Sequence, residues 1–255
     1  MSRNAARGQG IRGHDAPQAT AHRGAPRYAP ENTLASFRVA LDDGARSIEC
    51  DVQRTQDGHL VVIHDQTVDR TTDGHGRVGA FALDELRRLD AGRWFGPAFA
   101  GERIPLLDEV MSLLRGRATL RLEIKNAPTI YDGIEKQVLE AIHRHGMDDE
   151  VLVTSFDHEC VRRVRTLSPE IATGIIFTGR LIDPPGAARA AGADALCMNC
   201  AYVTADLVAA AHREGLRVFA WPVDDEDRFR HCLAAGVDGM TSNDYRLLSR
   251  WLART

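Results

Sequence analysis

Residues 46–52 read Arg46-Ser47-Ile48-Glu49-Cys50-Asp51-Val52, a short run in which acidic and apolar side chains alternate. A period of two is the mark of an extended strand, so Glu49 and Asp51 project from one face while Ile48, Cys50 and Val52 take the other. The preceding stretch, Thr33–Asp43, places Leu34, Phe37 and Leu41 on one helical stripe. Asn32 or Thr33 can cap that helix, and Gly44 can close it. A helix feeding a strand that ends in two acids is one unit of a βα repeat, and the rest of the chain decides whether the unit recurs.

Strands are predicted at Ala19–His22, Arg46–Val52, Thr119–Lys125, Val151–Ser155, Ala172–Phe177, Ala193–Cys197, Arg217–Val223 and Val237–Thr241. Amphipathic helices such as Asp132–His145, Thr204–Glu214 and Asp225–Ala235 fall between them, the second closed by Gly215. Eight such pairs in 255 residues predict an α/β fold, a (β/α)8 TIM barrel over residues 19–255, in preference to a doubly wound sheet. One segment breaks the alternation. Leu60–His64 reads as an extra strand, and about 65–105 is a Gly-rich insertion after strand 2, expected to lie over the barrel mouth.

A hydrophobic content of 44% suffices for a large core. A net charge of -4 and a pI near 6.2 argue against nucleic-acid or anionic-membrane binding and point to a small-molecule partner. Residues 1–18 are polar, rich in Arg, Gly and Gln, and read as a disordered tail rather than a secretory signal or membrane span. A cytoplasmic location is expected. Cys50, Cys160, Cys197, Cys200 and Cys232, odd in number and scattered through apolar segments, suit reduced thiols. Lysine occurs only at Lys125 and Lys136 in an Arg-rich chain, so Lys125 reads as a site wanting a compact ammonium.

Barrel sites form at strand C-termini, and there the polar residues collect: His22 after the first strand, Glu49 and Asp51 on the second, Glu123 and Lys125 on the third. Three carboxylates from neighbouring strands would repel by roughly 4 kcal/mol per pair at about 4 Å and an effective dielectric near 20. A divalent cation removes that cost, and all-oxygen ligation selects Mg²⁺, Ca²⁺ or Mn²⁺ over zinc. The alternative is a salt-bridge network in which Arg23 and Lys125 neutralise the acids. His22 and His64 flank the carboxylates as a candidate acid/base pair. The other eight histidines (His14, His59, His75, His143, His145, His158, His212 and His231) read as surface residues.

The ordered series His22-Arg23-Gly24, Pro30-Glu31-Asn32-Thr33, Glu49-Cys50-Asp51-Val52, His64-Asp65, Asp69-Arg70-Thr71-Thr72, Ile104-Pro105-Leu106-Leu107 and Leu122-Glu123-Ile124-Lys125 resembles that of the glycerophosphodiester phosphodiesterases. The resemblance runs from Ala21 to the C-terminus. It implies a TIM barrel with a small inserted subdomain that hydrolyses glycerophosphodiesters to an alcohol and glycerol 3-phosphate with one Mg²⁺ or Ca²⁺. By motif, Glu49, Asp51 and Glu123 correspond to metal ligands, His22 and His64 to the catalytic pair, and Arg23 and Lys125 to phosphate-binding cations; Trp221 would wall the substrate pocket. Trp221-Pro222-Val223 and Thr241-Ser242-Asn243-Asp244 depart from the family's usual residues, which leaves substrate contacts and the leaving alcohol open.

Gly74-His75-Gly76-Arg77-Val78-Gly79 matches a dinucleotide pattern but lacks a preceding strand and a following helix. Cys197 and Cys200 have ligand spacing without a second pair. Ser155 lacks a nucleophile elbow and is expected to line the pocket mouth. Two rival functions remain open: action on intact phospholipids, which needs an apolar lip, and a catalytically silent barrel that only binds a phosphorylated ligand. Trp94, Phe95 and Phe99 could supply the lip, though a small core of the insertion itself is the expected role. Whether water or a neighbouring substrate hydroxyl attacks the phosphorus is open at this stage.

Overall fold

The computed structural model describes residues 16–255. The predicted tail lies outside the described residues as far as 15, and its last residue, Gln18, already belongs to a strand. The strands are β1 (Gln18–Ala21), β2 (Ser47–Arg54), β3 (Leu60–Val62), β4 (Thr119–Ile124), β5 (Val151–Ser155), β6 (Ala172–Phe177), β7 (Ala195–Asn199), β8 (Arg217–Trp221) and β9 (Gly239–Ser242). Hydrogen bonding runs β1-β9-β8-β7-β6-β5-β4-β2, and β1 pairs back onto β2. Eight parallel strands thus close into a TIM barrel. The extra strand, β3, pairs antiparallel with the end of β2, matching Val52 with Val62.

Helices α1 (Leu34–Asp42), α2 (Leu83–Leu86), α3 (Leu107–Leu114), α4 (Ile134–His145), α5 (His158–Leu167), α6 (Pro184–Ala191), α7 (Ala205–Arg213), α8 (Glu226–Ala235) and α9 (Tyr245–Leu252) follow in order. Thr33, not Asn32, caps α1 by accepting from the Ser36 N–H. Asp157, Asp183, Thr204, Asp225 and Asp244 cap α5 to α9 in the same way. Gly44 and Gly215 lie just past α1 and α7 at φ of +85° and +73°, the left-handed turn that ends a helix. Outward strand residues such as Ile48, Cys50, Val52, Leu120, Leu122 and Ile124 are buried with Phe37, Val110, Met111 and Ile142 from the helices. Inside the barrel a small cluster of Leu152, Ala172, Ile176, Ala195, Cys197 and Phe219 fills the space beneath the polar strand ends. All five cysteines are free and buried.

The insertion has its own core of Val61, Ile63, Val68, Val78, Leu86, Ala91 and Ile104. It packs against the loop between β1 and α1, where Glu31, Asn32 and Thr33 share a small cleft with Ile63, Thr71 and Ile104. None of residues 65–105 lines the main cavity at the barrel mouth. Trp94, Phe95 and Phe99 stay outside that core: they stack edge-on at centroid distances of 5.7 and 5.4 Å, with Trp94 exposed. The glycine-rich stretch at 74–79 opens only the single 3-10 turn Val78–Ala80, so no dinucleotide helix forms there.

Asp90 holds the loop together. Its carboxylate accepts from the backbone N–H groups of Gly92, Arg93 and Gly101 at 3.0, 2.9 and 2.9 Å. Burial alone would raise its pKa, but these donors and the Arg93 side chain hold it down to about 2. Asp90→Ala is expected to cost about 1–3 kcal/mol at neutral pH by orphaning the donors. A depressed folded pKa contributes stability above the ordinary value of 3.8 and loses it as pH falls through about 2. The melting-temperature gap between wild type and variant should therefore narrow as pH drops across that window.

Candidate active site

The residues singled out in the sequence meet at the C-terminal end of the barrel. His22 follows β1 directly, Glu49 and Asp51 sit on β2, Glu123 on β4, Lys125 just beyond β4, His64 beyond β3, and Trp221 at the end of β8. Asp51 and Glu123 are register partners across β2 and β4, as are Glu49 and Arg121. The shared strand face inferred for these acids is therefore the face turned into the barrel. One carboxylate oxygen from each of Glu49, Asp51 and Glu123 lies within 4.8 Å of the others, and all three residues are buried.

Their surroundings divide the acids. Asp51 is the most enclosed: Oδ2 accepts from Asn32 Nδ2 at 2.8 Å and lies 3.3 Å from Arg23 Nε, while Lys125 Nζ lies 3.1 Å from Oδ1. Lys125 also contacts Glu123 Oε1 at 2.6 Å, and Glu49 Oε2 accepts from the Arg23 backbone N–H at 2.9 Å. Burial would raise the Asp51 pKa, but Lys125 and Arg23 overcome it and hold this acid well below its ordinary value. Burial, reinforced by the charge of Asp51, pushes Glu49 well up. Glu123 is pushed up to about 7 by burial despite the opposing ammonium of Lys125. Two cations thus serve three buried acids, and the salt-bridge network foreseen as the alternative is real but incomplete.

Asp51 Oδ1, although near Lys125, has no aligned hydrogen-bond donor. A buried carboxylate oxygen left in this state is costly unless something else binds it. With an all-oxygen donor set and a deficit of positive charge, the three acids fit a hard divalent cation.

Both imidazoles face the same cavity, which measures about 350 Å³ and is also lined by Arg23, Glu49, Glu123, Lys125, Phe156 and Trp221. His64 Nδ1 lies 2.6 Å from Asp65 Oδ1. Asp65 in turn accepts from Arg70, which makes two further bonds to Glu31, and Glu31 accepts from Arg23 Nη1 at 2.8 Å. An alternating chain of charges therefore ties His64 to Arg23, built from residues quoted in the motifs but given no role there. His22 Nδ1 lies 2.7 Å from Asn243 Oδ1, and its Nε2 is 3.8 Å from Glu49 Oε2. Burial, aided by Arg23, lowers the His22 pKa to about 4; burial also lowers that of His64, partly offset by Asp51.

Several functional positions were not legible in the sequence. Asn32, read with Thr33 as one of two possible helix caps, adopts φ of +56° and turns its amide onto Asp51. Phe156 packs edge-on against Trp221 at 5.7 Å to form the cavity wall. Arg121 lies under the site, its guanidinium 3.7 Å from the Phe219 ring and its Nη2 donating to Gln18 Oε1 at 3.0 Å. Gly239 makes room for it, since a Cβ there would sit 3.0 Å from Arg121 Nη2.

Other expectations need correction. Ser155 does not line the mouth: it is buried, donating to the Ile124 carbonyl at 2.8 Å, and Thr154 occupies the inward position. Cys197 and Cys200 diverge, the first lining the cavity with its thiol pushed up to about 12 by burial, the second beside the Pro222 carbonyl. His145 and His158 are half-buried, tied to Asp108 and to the Ile176 carbonyl, whereas His231 is exposed as expected, its Nε2 2.9 Å from the Val203 carbonyl. His14 lies outside the described residues.

The chain is similar to known proteins. The profile of the Glycerophosphoryl diester phosphodiesterase family matches residues 22–247. A glycerophosphodiester phosphodiesterase of Caldanaerobacter subterraneus subsp. tengcongensis is 41% identical over 225 residues, which cover 88% of this chain and 93% of that one. The crystal structure of a glycerophosphodiester phosphodiesterase from Agrobacterium tumefaciens superposes with a TM-score of 0.81 at 32% identity, covering 92% of this chain and 99% of the other. An Oleispira antarctica phosphodiesterase, solved in complex with the product sn-glycerol-3-phosphate, gives 0.86 at 29% identity over 94% and 98%. A barrel of this topology, matched by that profile along nearly its whole length, makes the chain a member of the glycerophosphoryl diester phosphodiesterase family.

Proposed function

We propose that this enzyme hydrolyses glycerophosphodiesters to an alcohol and glycerol 3-phosphate with one divalent cation, Mg²⁺ or Ca²⁺, Mn²⁺ being a further candidate. The observation that carries the reading is the convergence of three buried carboxylates, two cations and two differently supported imidazoles on one cavity. Glu49, Asp51 and Glu123 would hold the cation, which when bound supplies Lewis-acid polarisation of a phosphoryl oxygen. Arg23 and Lys125 neutralise the remaining phosphodiester charge and stabilise what develops in the transition state. His22 and His64 both line the cavity with Nδ1 engaged by Asn243 and Asp65, so Nε2 of one neutral ring can take a proton from the attacking hydroxyl while the other ring, in its protonated form, gives one to the leaving alkoxide. Asp65 holds the His64 ring and stabilises its protonated form. Trp221 and Phe156 offer an apolar wall to the substrate's carbon skeleton. A purely binding barrel would have no use for a proton-transfer pair.

Release of glycerol 3-phosphate from a panel of glycerophosphodiesters, with Mg²⁺, Ca²⁺, Mn²⁺ and a chelator compared, tests this. Activity should vanish in chelator and return with at least one of the ions. Full turnover in chelator, or no release from any diester, would remove the proposal.

Action on intact phospholipids has one observation in its favour. Among the described residues, the exposed apolar side chains Ile130, Phe156, Leu181, Ile182 and Tyr202 lie on the loops following β4, β5, β6 and β7, at the mouth end of the barrel. No described helix is long and apolar enough to cross a membrane. Co-sedimentation with liposomes, together with release of headgroup from them, would select this reading over the soluble diester.

A further inference from the structure

We propose that Asn243, itself held by Asp224, is a positioning residue that fixes which ring nitrogen of His22 carries hydrogen. The reaction His22 would serve is the one proposed above, but the hydrogen's place on the ring can be measured without any substrate.

Asn243 stands directly after β9, next to the end of β1 where His22 lies. An amide offers an acceptor on one side and a donor on the other, and its remaining partners decide which one faces the ring. Asp224 makes that decision. Asn243 Nδ2 donates to Asp224 Oδ2 at 2.6 Å, and the Asn243 backbone N–H donates to Oδ1 at 2.8 Å. Ser242 Oγ also donates to Oδ1 at 2.9 Å, which anchors the carboxylate. An ionised carboxylate only accepts, so the NH₂ of Asn243 must face Asp224 and its Oδ1 must face His22. That oxygen also only accepts, so Nδ1 of His22, 2.7 Å away, carries the hydrogen. In the neutral ring Nε2 is then left with a lone pair on the cavity side, 3.8 Å from Glu49.

The two histidines are thus oriented by different chemistry. His64 leans on the carboxylate of Asp65, which fixes the ring and adds a negative charge. His22 leans on an amide, which fixes the ring and adds none. Within Thr241-Ser242-Asn243-Asp244, where substrate contacts were left open, Thr241 lines the cavity while Asn243 does not and holds the His22 ring.

The test reads the ring directly. In ¹⁵N-labelled, Mg²⁺-loaded protein, imidazole NMR should show His22 protonated on Nδ1, and Asn243→Ala should give a mixture with the Nε2–H form. The same variant should lower kcat about 10²-fold or more, with KM changing by less than about twofold. Asn243→Asp combined with Asp224→Asn keeps an acceptor on His22 and exchanges the donor and acceptor between positions 243 and 224, and should preserve the Nδ1–H form and most of the activity. In a His22→Ala background, Asn243→Ala should cause no further loss, because the two act as one unit. An Nε2–H ring in the wild type, or an equal loss from Asn243→Ala with and without His22, would overturn the proposal. Should Asn243→Ala fail to fold, Asp224→Asn frees the amide to flip, and an unchanged tautomer there would overturn it equally. If no glycerophosphodiester is turned over, the hydrolase reading falls while the NMR result still decides this one.

Discussion

Asp51→Asn is expected to abolish measurable turnover and to weaken cation binding by orders of magnitude, the largest loss foreseen from a single substitution in this protein. Asp51 is the one acid of the three held firmly ionised, and its Oδ1 is the oxygen without an aligned donor. Replacing it with an isosteric amide keeps the side-chain volume but removes the charge that Lys125 and Arg23 neutralise. A Lewis acid contributes several kcal/mol to a phosphoryl transition state, which corresponds to about 10³-fold or more in rate. Asp51→Ala would add a stability defect of about 3–5 kcal/mol, since two buried cations would each lose one of their partners. The amide variant is therefore the cleaner probe. Calorimetric titration with Mg²⁺ and Ca²⁺, run beside the activity assay, checks both halves. Wild-type cation affinity in Asp51→Asn would dismiss the acidic cluster as the metal site.

His64→Ala comes second, with kcat expected to fall by about 10²- to 10⁴-fold and KM to remain near its wild-type value. The ring lies at the mouth, its side chain 31% exposed, so removal opens a solvent-connected gap instead of a sealed void. Added imidazole should therefore restore part of the activity to this variant and less to His22→Ala, whose ring is the more enclosed at 16%. Asp65 and Arg70 remain paired without His64, so the fold should hold and the melting temperature should change little. Wild-type kcat in His64→Ala would show that the site geometry serves binding alone.

The acids were readable because strand periodicity is strict. Once 46–52 is a strand, Glu49 and Asp51 must share a face, and the same holds for Glu123 and Lys125 in 119–125. Strand ends were less secure: β2 runs on to Arg54 because β3 pairs with its last residues, and β7 starts two residues later than expected. Ser155 and Thr154 show the limit of reading a site from residue type. The pleat turns Thr154 inward and Ser155 outward, and neither residue announces which parity applies. Asn32 carried a cap-like signal that Thr33 fulfilled, leaving its amide free for Asp51.

The sequence alone determined what short-range physics fixes: the βα alternation, the acids and imidazoles at strand ends, and the family they resemble. Tertiary structure decided the pairings that span the chain. Asn243 lies 221 residues from His22, Arg70 lies 39 from Glu31, and Arg121 reaches across the barrel to Gln18, 103 residues away. Closing the barrel brings the first and last strands side by side, and a hydrogen bond between side chains so distant in sequence has no local pattern to betray it. Which proton an imidazole holds is set by such a contact, because it depends on the partner's lone pair rather than on the histidine's own neighbours.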